Sequence, residues 1–254
     1  MASEGTTAVR LTYFDMRGRA EAIRLLLHAT QTDFDDRRVV DKDDWEGLKP
    51  TLPFERLPVY EDSGRLLCEC HAILRYLGRG GPPVARDDLH RAELDAVADA
   101  LAELREDLWR FNWRENYYEH LETYARDVLL PRLRQLEAWL ARTSESDEWF
   151  GVAFSHVDCL AYCYLDEIDA FFPVVLARFP RLAELHARVA SLPGISDYLA
   201  SAARPPVFGM GIAGPKVDPR VTLAPDRPFA NPWTPPLDLA PFERNQRRLT
   251  EIEG

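Results

Sequence analysis

An apolar strand runs directly into a helix in the stretch LLCECHAILRYL, residues 66–77. Glu69 and Cys70 stand at the junction, so two polar side chains meet the free backbone N–H groups at the start of the helix. A helix N-terminus of this kind attracts anions. Together with Leu57-Pro58 just upstream, the stretch predicts a strand-to-helix junction that binds a negatively charged group.

Strand and helix patterns alternate on both sides of this junction. Runs of β-forming residues predict strands, apolar residues at three- and four-residue spacing predict helices, and Asp62-Ser63-Gly64 predicts a turn. The predicted elements are a strand at 8–14, a helix at 16–30, a strand at 34–40, a short helix ended by Pro50, strands at 57–61 and 65–68, and a helix from 70 to about 77. This order predicts a thioredoxin-like α/β domain over residues 1–80.

A break at Gly80-Gly81-Pro82-Pro83 separates this region from a purely helical one. Leucines then recur at helical spacing, which predicts an all-helical bundle domain over residues 84–204. Ser155 and Asp158 form a variant of the capping box, with Asp where Glu or Gln is usual. This pair predicts a helix from His156 to about Phe171.

Prolines dominate the last part of the chain. Ten of the 19 prolines lie between Pro205 and Pro241, so residues 205–254 form a proline-rich extension that either wraps the surface in extended form or is disordered. Residues 209–214 match G-x-G-x-x-G letter for letter. Pro-Pro precedes the match and Pro215 follows it, so no strand–turn–helix unit surrounds it and a nucleotide site is not expected.

The net charge of −11 disfavours nucleic acid and anionic membranes as partners, because both require a surplus of Lys and Arg. No run is apolar enough for a signal peptide or a membrane helix, which favours a cytoplasmic protein. Four cysteines are too few for a disulfide scaffold, and their C-x-C and C-x3-C spacings are not common zinc patterns, so no metal is expected: Cys68, Cys70, Cys159 and Cys163.

Several stretches resemble the glutathione transferases, and most closely the sigma-like class that includes glutathione-dependent prostaglandin D synthase. They are LTYFDMRGRAEAIR, DW…LKPTLPF, LPVYEDSGRLL and AILRYL. The likeness runs from about Val9 to Leu104, and the capping box with PRL and LPGI extends it to about Leu199, but the final fifty residues have no counterpart. The resemblance implies glutathione as co-substrate, a homodimer and a role in detoxification.

The resemblance implies that Tyr13 and Arg19 are catalytic. Tyr13 would donate its hydroxyl proton to the glutathione sulfur, and Arg19 would add positive potential nearby. Lowering a thiol pKa of about 8.5 by two units requires roughly 2.7 kcal/mol of preferential thiolate stabilisation, and a short charge-assisted hydrogen bond supplies much of that. Without the resemblance, a core tyrosine and a solvated helix arginine would be the simpler interpretations.

Further positions match the residues that hold glutathione in the family. The matched set is Tyr13, Arg19, Trp45, Lys49, Leu57, Pro58, Glu69, Cys70 and Glu103. In the family, the residues matched by Trp45 and Lys49 contact the glycine end of glutathione. A cis-proline, matched by Pro58, exposes backbone N–H and C=O groups that bind the cysteinyl part, and the residues matched by Glu69 and Cys70 receive the γ-glutamyl end. A surface lysine and a trans Pro58 are the plain alternatives.

Two positions, Cys70 and Ala102, depart from the family pattern. Cys70 stands where Ser or Thr is usual, and because a thiol is a poorer donor than a hydroxyl, affinity for glutathione is expected to fall there. Glu103 matches the acid that a partner subunit brings to the glutathione amino group, with Asp99 beside it. Ala102 replaces a further acid of the prostaglandin synthase, so the metal site of that enzyme's dimer interface is not expected.

The second substrate is expected between Tyr13 and the helical domain. Its candidate residues by position are Met16, Trp109, Arg110, Leu160 and Tyr164. This largely apolar and aromatic set suits a hydrophobic small-molecule electrophile, although any of its members can equally be ordinary core.

The leading hypothesis is therefore a homodimeric glutathione transferase in which Tyr13 stabilises the thiolate for attack on an apolar electrophile. A glutathione-dependent isomerase using the same site is the alternative among enzymes. Two further hypotheses are a non-catalytic, crystallin-like binding protein and a thiol–disulfide oxidoreductase acting through Cys70. The absence of a C-x-x-C motif argues against the oxidoreductase.

Overall fold

A mixed four-stranded sheet forms the N-terminal part of the chain. The structure is a computed structural model that describes residues 9–81, 84–114, 117–143, 148–211, 214–217 and 220. The strands are β1 Val9–Phe14, β2 Phe34–Val39, β3 Val59–Asp62 and β4 Arg65–Cys68. Their order is β2-β1-β3-β4, with β2 parallel to β1 and the other two pairs antiparallel.

Helices cover both faces of this sheet. They are a short 3-10 turn Gly18–Ala20 leading into α1 Glu21–Ala29, then α2 Lys42–Leu48 with a 3-10 turn Lys49–Thr51, and α3 Cys70–Gly78. Leu11 and Tyr13 of β1 belong to the main core that α1 and α3 share. Val59 and Cys68 point to the opposite face, into a small cluster against which Trp45 of α2 packs. The predicted thioredoxin-like order is confirmed.

Most of the described residues from 84 to 200 are helical, as the periodicity predicts. The helices are α4 Asp88–Asn112, α5 Leu121–Tyr124, α6 Leu130–Thr143, α7 His156–Phe171, α8 Pro173–Leu176, α9 Pro180–Ser191 and α10 Ile195–Ala200, with a π-helical turn Ala125–Leu129 before α6. α7 packs against α1, α4 and α9 and is buried along most of its length. It therefore connects the bundle to the sheet layer.

The capping box at the start of α7 forms as predicted. Asp158 accepts the backbone N–H of Ser155 at 2.8 Å and that of Phe150 at 3.1 Å. The Ser155 hydroxyl in turn accepts the Val157 N–H at 3.2 Å. Since Asp158 is fully buried, these bonds satisfy polar groups that water cannot reach.

Two local expectations differ from the structure. The first helix begins at Glu21 rather than at Met16, because the intervening turn folds back onto Tyr13. The start of the proline-rich extension forms an antiparallel hairpin of β5 Val207–Gly211 and β6 Gly214–Val217. The described glycines of the motif therefore lie in two antiparallel strands and not in a strand–turn–helix unit. Residues 212–213, 218–219 and 221–254 lie outside the described part. No helix in the described part is long and apolar enough to cross a membrane.

Candidate active site

Tyr13 lies in β1 with the following turn packed against its ring. Its hydroxyl oxygen accepts the backbone N–H of Arg19 at 3.1 Å, and only 7% of the residue is exposed. Gly18 permits this approach, since its φ is +42° and a Cβ there would lie 2.5 Å from the tyrosine oxygen. Because the oxygen already accepts a hydrogen bond, the hydroxyl proton is available for a second acceptor.

Arg19 reaches this site through its main chain. Its guanidinium is about half exposed and forms an ion pair with Glu106 of α4, so a carboxylate offsets much of its charge. Its N–H, however, is bonded to Tyr13, and its carbonyl accepts the Cys70 thiol at 2.9 Å. The Arg19 peptide therefore links the end of β1 to the start of α3.

A cavity of about 120 Å³ lies at the start of α3. It is lined by Arg19, Arg56, Leu57, Pro58, Cys68, Glu69 and Cys70. The Leu57-Pro58 peptide is cis, and Glu69, the residue just before the helix, has φ +68° and ψ 114°. Such a left-handed conformation costs a non-glycine residue about 1–3 kcal/mol and is concentrated at functional sites. The cavity brings together five of the residues predicted to hold glutathione.

The Cys70 side chain is buried at this helix start. Burial raises the pKa of its thiol to about 11, although the nearby Arg105 and Arg19 act in the opposite direction. The thiol proton is donated to the Arg19 carbonyl, so Cys70 holds the loop rather than presenting a reactive thiolate. This environment disfavours a thiol–disulfide oxidoreductase.

Trp45 and Lys49 lie beside the cavity without lining it. The Trp45 ring packs edge-on to Phe14 at 5.2 Å and shares the small cluster on the outer sheet face with Leu57. Lys49 is exposed, with its Nζ 3.8 Å from a carboxylate oxygen of Glu55. An incoming carboxylate would have to compete with that weak surface pair.

The five candidates for the second substrate fall into two groups. Leu160 and Tyr164 are each 2% exposed in α7, and Met16 is half-buried in the loop after β1. Trp109 and Arg110 are exposed near the end of α4. Of the five, Tyr164 lines a small cavity together with Gly18 on the inner side of the Tyr13 loop.

Two arginines near the site were missed by the sequence interpretation. Arg56 lines the cavity and directly precedes Leu57-Pro58. Arg105 projects from α4 with its guanidinium carbon 5.7 Å from the centre of the Tyr164 ring. Burial opposes the charged form of Arg105, yet Tyr164, Tyr13 and Cys70 outweigh it and raise its pKa. The sequence did contain a signal for Arg105, because it lies one turn before the candidate residue Trp109 on the same helix.

Glu103 lies on the surface of α4, away from the cavity of its own chain. Its carboxylate is 3.3 Å from Arg132 of α6, and its side chain is 68% exposed. Among the residues that the structure describes, no group of three or more His, Cys, Asp or Glu side chains could hold a metal ion.

A thioredoxin-like sheet joined to a helical bundle is the two-part architecture of the glutathione transferases that the sequence resembles. Family models agree: that for the glutathione S-transferase N-terminal domain matches residues 9–79, and that for the C-terminal domain matches residues 102–202. The chain belongs to the glutathione S-transferase family.

Individual relatives agree with this assignment. Glutathione S-transferase 1 of Ascaris suum is 31% identical over 78% of this chain and 98% of its own. Hematopoietic prostaglandin D synthase of Rattus norvegicus is 31% identical over 75% of this chain and 94% of its own. Among solved structures, the Pi-class glutathione S-transferase of Onchocerca volvulus superposes with a TM-score of 0.70 at 27% identity, covering 76% of this chain and 92% of that one.

Proposed function

We propose that the chain is a glutathione transferase in which the Tyr13 hydroxyl stabilises the glutathione thiolate. The observation that carries this proposal is the 3.1 Å hydrogen bond from the Arg19 N–H to the tyrosine oxygen. That bond fixes the direction of the hydroxyl and polarises it, so its proton is a stronger donor to a sulfur placed at the mouth of the cavity. Arg19 thus contributes mainly through its peptide.

The cavity at the start of α3 supports glutathione as the co-substrate. The Leu57 backbone beside the cis-proline can pair with the cysteinyl part in the manner of an added strand. The γ-glutamyl carboxylate would face the free N–H groups at the start of α3, next to Glu69 and Cys70. Trp45 and Lys49 would contact the glycine end, as the resemblance to the family implies.

The reaction follows from this placement. The thiol of glutathione releases its proton to water, and the thiolate sulfur attacks an electrophilic carbon held between Tyr13 and the helical domain. A carbon–sulfur bond forms, while the electron pair moves to a leaving group or along a conjugated system. Met16, half-buried in the loop after Tyr13, favours an apolar electrophile. An isomerase is the second candidate, because a prostaglandin D synthase relative matches the chain at the same 31% identity as a glutathione S-transferase relative.

We further infer a homodimer. A groove of about 310 Å³ lies between α4 and α6. Its lining is largely apolar, consisting of Ala96, Val97, Ala100, Leu104, Leu136 and Trp139 with Arg132 and Gln135. Glu103 stands on the same stretch of α4, so a second copy docked here would bring its own Glu103 towards the glutathione amino group. We place the protein in the cytoplasm, where reduced glutathione would be available to a chain whose four cysteines are free thiols.

The experiment that tests the role of Tyr13 compares two tyrosine variants. Bound glutathione should show ultraviolet thiolate absorbance in the native protein and lose it in Tyr13→Phe, with kcat/KM falling about a hundredfold. Tyr60→Phe is the matched control, since Tyr60 is buried on the neighbouring strand. Thiolate absorbance that survives in Tyr13→Phe would show that another group activates the sulfur.

A separate measurement addresses the non-catalytic alternative. A binding protein would be retained on immobilised glutathione but would turn over no member of a panel of apolar electrophiles. We expect retention together with conjugation of at least one electrophile, and isomerisation without consumption of glutathione would favour the isomerase.

A further inference from the structure

The first residues of the extension are firmly packed, although they lie beyond residue 202, where the family match ends. Val207 is fully buried and Phe208 is 6% exposed. The Phe208 ring lies 5.6 Å from that of Phe171 at the end of α7. A segment so enclosed is part of the folded core rather than an appended tail.

This segment contacts the loop after β1 at one residue, Arg17. The Arg17 backbone N–H donates to the Val207 carbonyl at 2.8 Å, and its Nε donates to the Pro205 carbonyl at 2.8 Å. Its guanidinium carbon stands 4.2 Å from the centre of the Phe208 ring. Three residues of the extension, Pro205, Val207 and Phe208, therefore contact both the main chain and the side chain of Arg17.

Asp166 of α7 anchors the same cluster. Its carboxylate lies 3.3 Å from Arg17, 2.7 Å from Arg204 and 2.8 Å from Arg220. Arg204 also bonds the buried Glu21 at 3.0 Å. Asp166, Arg17, Arg204 and Glu21 are nearly excluded from water, whereas Arg220 is partly exposed, so the charge-assisted bonds among the first four are geometrically restrictive. The two ends of the hairpin are thus tied to the bundle and to α1.

Arg17 is two residues before the peptide that bonds to the catalytic tyrosine. Gly18 follows it and presses on the Tyr13 ring, and the Arg19 N–H then donates to the Tyr13 hydroxyl. Phe208 and Gly18 also border a cavity of only about 20 Å³, roughly the room for one water. At this point the extension leaves no space for a second substrate, so its contact is with the loop.

We propose that residues 205–208 of the extension form a positioning element for the thiolate-stabilising Tyr13, acting through Arg17 on the Gly18–Arg19 peptide. The proposal rests on the function proposed above. The extension fixes the loop at Arg17, the loop holds the Arg19 N–H against the tyrosine oxygen, and the hydroxyl proton stays directed at the sulfur. Residues outside the family match thereby set the acidity of bound glutathione.

The test replaces Phe208 by Ala in the full chain and titrates the thiolate absorbance of bound glutathione. We expect the pKa of the bound thiol to rise by about one unit, which is about a tenfold loss of thiolate at a pH below that pKa. Turnover should fall by the same factor at low pH and recover at high pH, because only the ionisation is affected. The KM for glutathione should change less than about twofold.

Two further variants keep the result interpretable. Phe179→Ala removes a buried phenylalanine of the bundle, 5% exposed, and should lower thermal stability without moving the thiol pKa. Phe208→Leu preserves apolar volume but removes the ring face beneath Arg17, so it should fold even if Phe208→Ala does not, and should shift the pKa in the same direction.

The outcomes separate this proposal from the one on which it rests. An unchanged thiol pKa in both Phe208 variants, with loss of thiolate in Tyr13→Phe, would overturn the positioning role alone. Thiolate that persists in Tyr13→Phe would instead overturn the role of Tyr13. A pKa shift of the same size in Phe179→Ala would show that general destabilisation is responsible.

Discussion

Three residues form a short chain of hydrogen bonds at the centre of the site. The Cys70 thiol donates to the Arg19 carbonyl, and the Arg19 N–H donates to the Tyr13 oxygen. A peptide polarised at its carbonyl is a better donor at its N–H, so the bonds strengthen one another. The thiol is the weakest donor in this chain of bonds. The residue at 70 therefore influences the tyrosine as well as the γ-glutamyl end.

Cys70→Ser should increase affinity for glutathione. A hydroxyl, like a thiol, has a single proton, but it donates that proton in a stronger bond, either to the Arg19 carbonyl or, once glutathione is bound, to its carboxylate, so we expect the Kd to fall about two- to fivefold, or about 0.5–1 kcal/mol. Cys70→Ala should act in the opposite direction, because it leaves the buried carbonyl without its donor. Calorimetric titration with glutathione measures both, and a serine variant that binds no tighter than the native chain would contradict the prediction.

Sequence alone located the junction at residues 69 and 70 and named Tyr13, but it did not reveal how the Arg19 peptide acts. A motif identifies side chains, whereas this contact depends on the backbone at Gly18, whose φ of +42° no pattern specifies. Arg105 was overlooked for a similar reason. Its charge predicts a solvated helix face, and only the packing of α4 on α7 directs it inward.

At the scale of elements, the sequence predicted helix starts and turns correctly where the hydrogen bonds that define them join residues only a few positions apart. The capping box identified the start of α7, and the turn at 62–64 identified the β3–β4 hairpin. The β5–β6 hairpin was not predicted, because its prolines and glycines argue against a strand. It forms because Arg17 and α7 supply long-range partners for its carbonyls and its Phe208 ring.

Asp158→Ala should cost about 2–4 kcal/mol of unfolding free energy, because the Phe150 and Ser155 N–H groups would be buried without an acceptor. Asp87→Ala is a matched comparison: it also removes a carboxylate acceptor at a helix start, but Asp87 is the exposed N-cap of α4 and accepts one N–H there. That change should cost about 1 kcal/mol. Chemical denaturation measures both, and equal losses would show that burial does not govern the cost of removing a cap.

At the scale of the molecule, α7 is the shared element. It packs on α1 of the sheet layer and on α4 and α9 of the bundle, and its Asp166 binds arginines from the loop after β1 and from the extension. The order of elements in the sequence was enough to predict the two-part architecture. The placement of the extension was not, because it depends on contacts between residues about 150 positions or more apart in the chain.

The groove between α4 and α6 leads to a prediction about assembly. Ala100 is exposed on its floor, one turn before Glu103, so Ala100→Arg would place an unpaired charge against the apolar face of a second copy. We expect sedimentation to show a monomer. The Kd for glutathione should rise about tenfold, because Glu103 of one copy would no longer reach the cavity at the start of α3 in the other. Ala187→Arg, on the exposed side of α9, should remain a dimer with native affinity. If Ala100→Arg stays dimeric, the groove is not the interface. A monomer that binds glutathione with native affinity would show that each chain forms a complete glutathione site on its own.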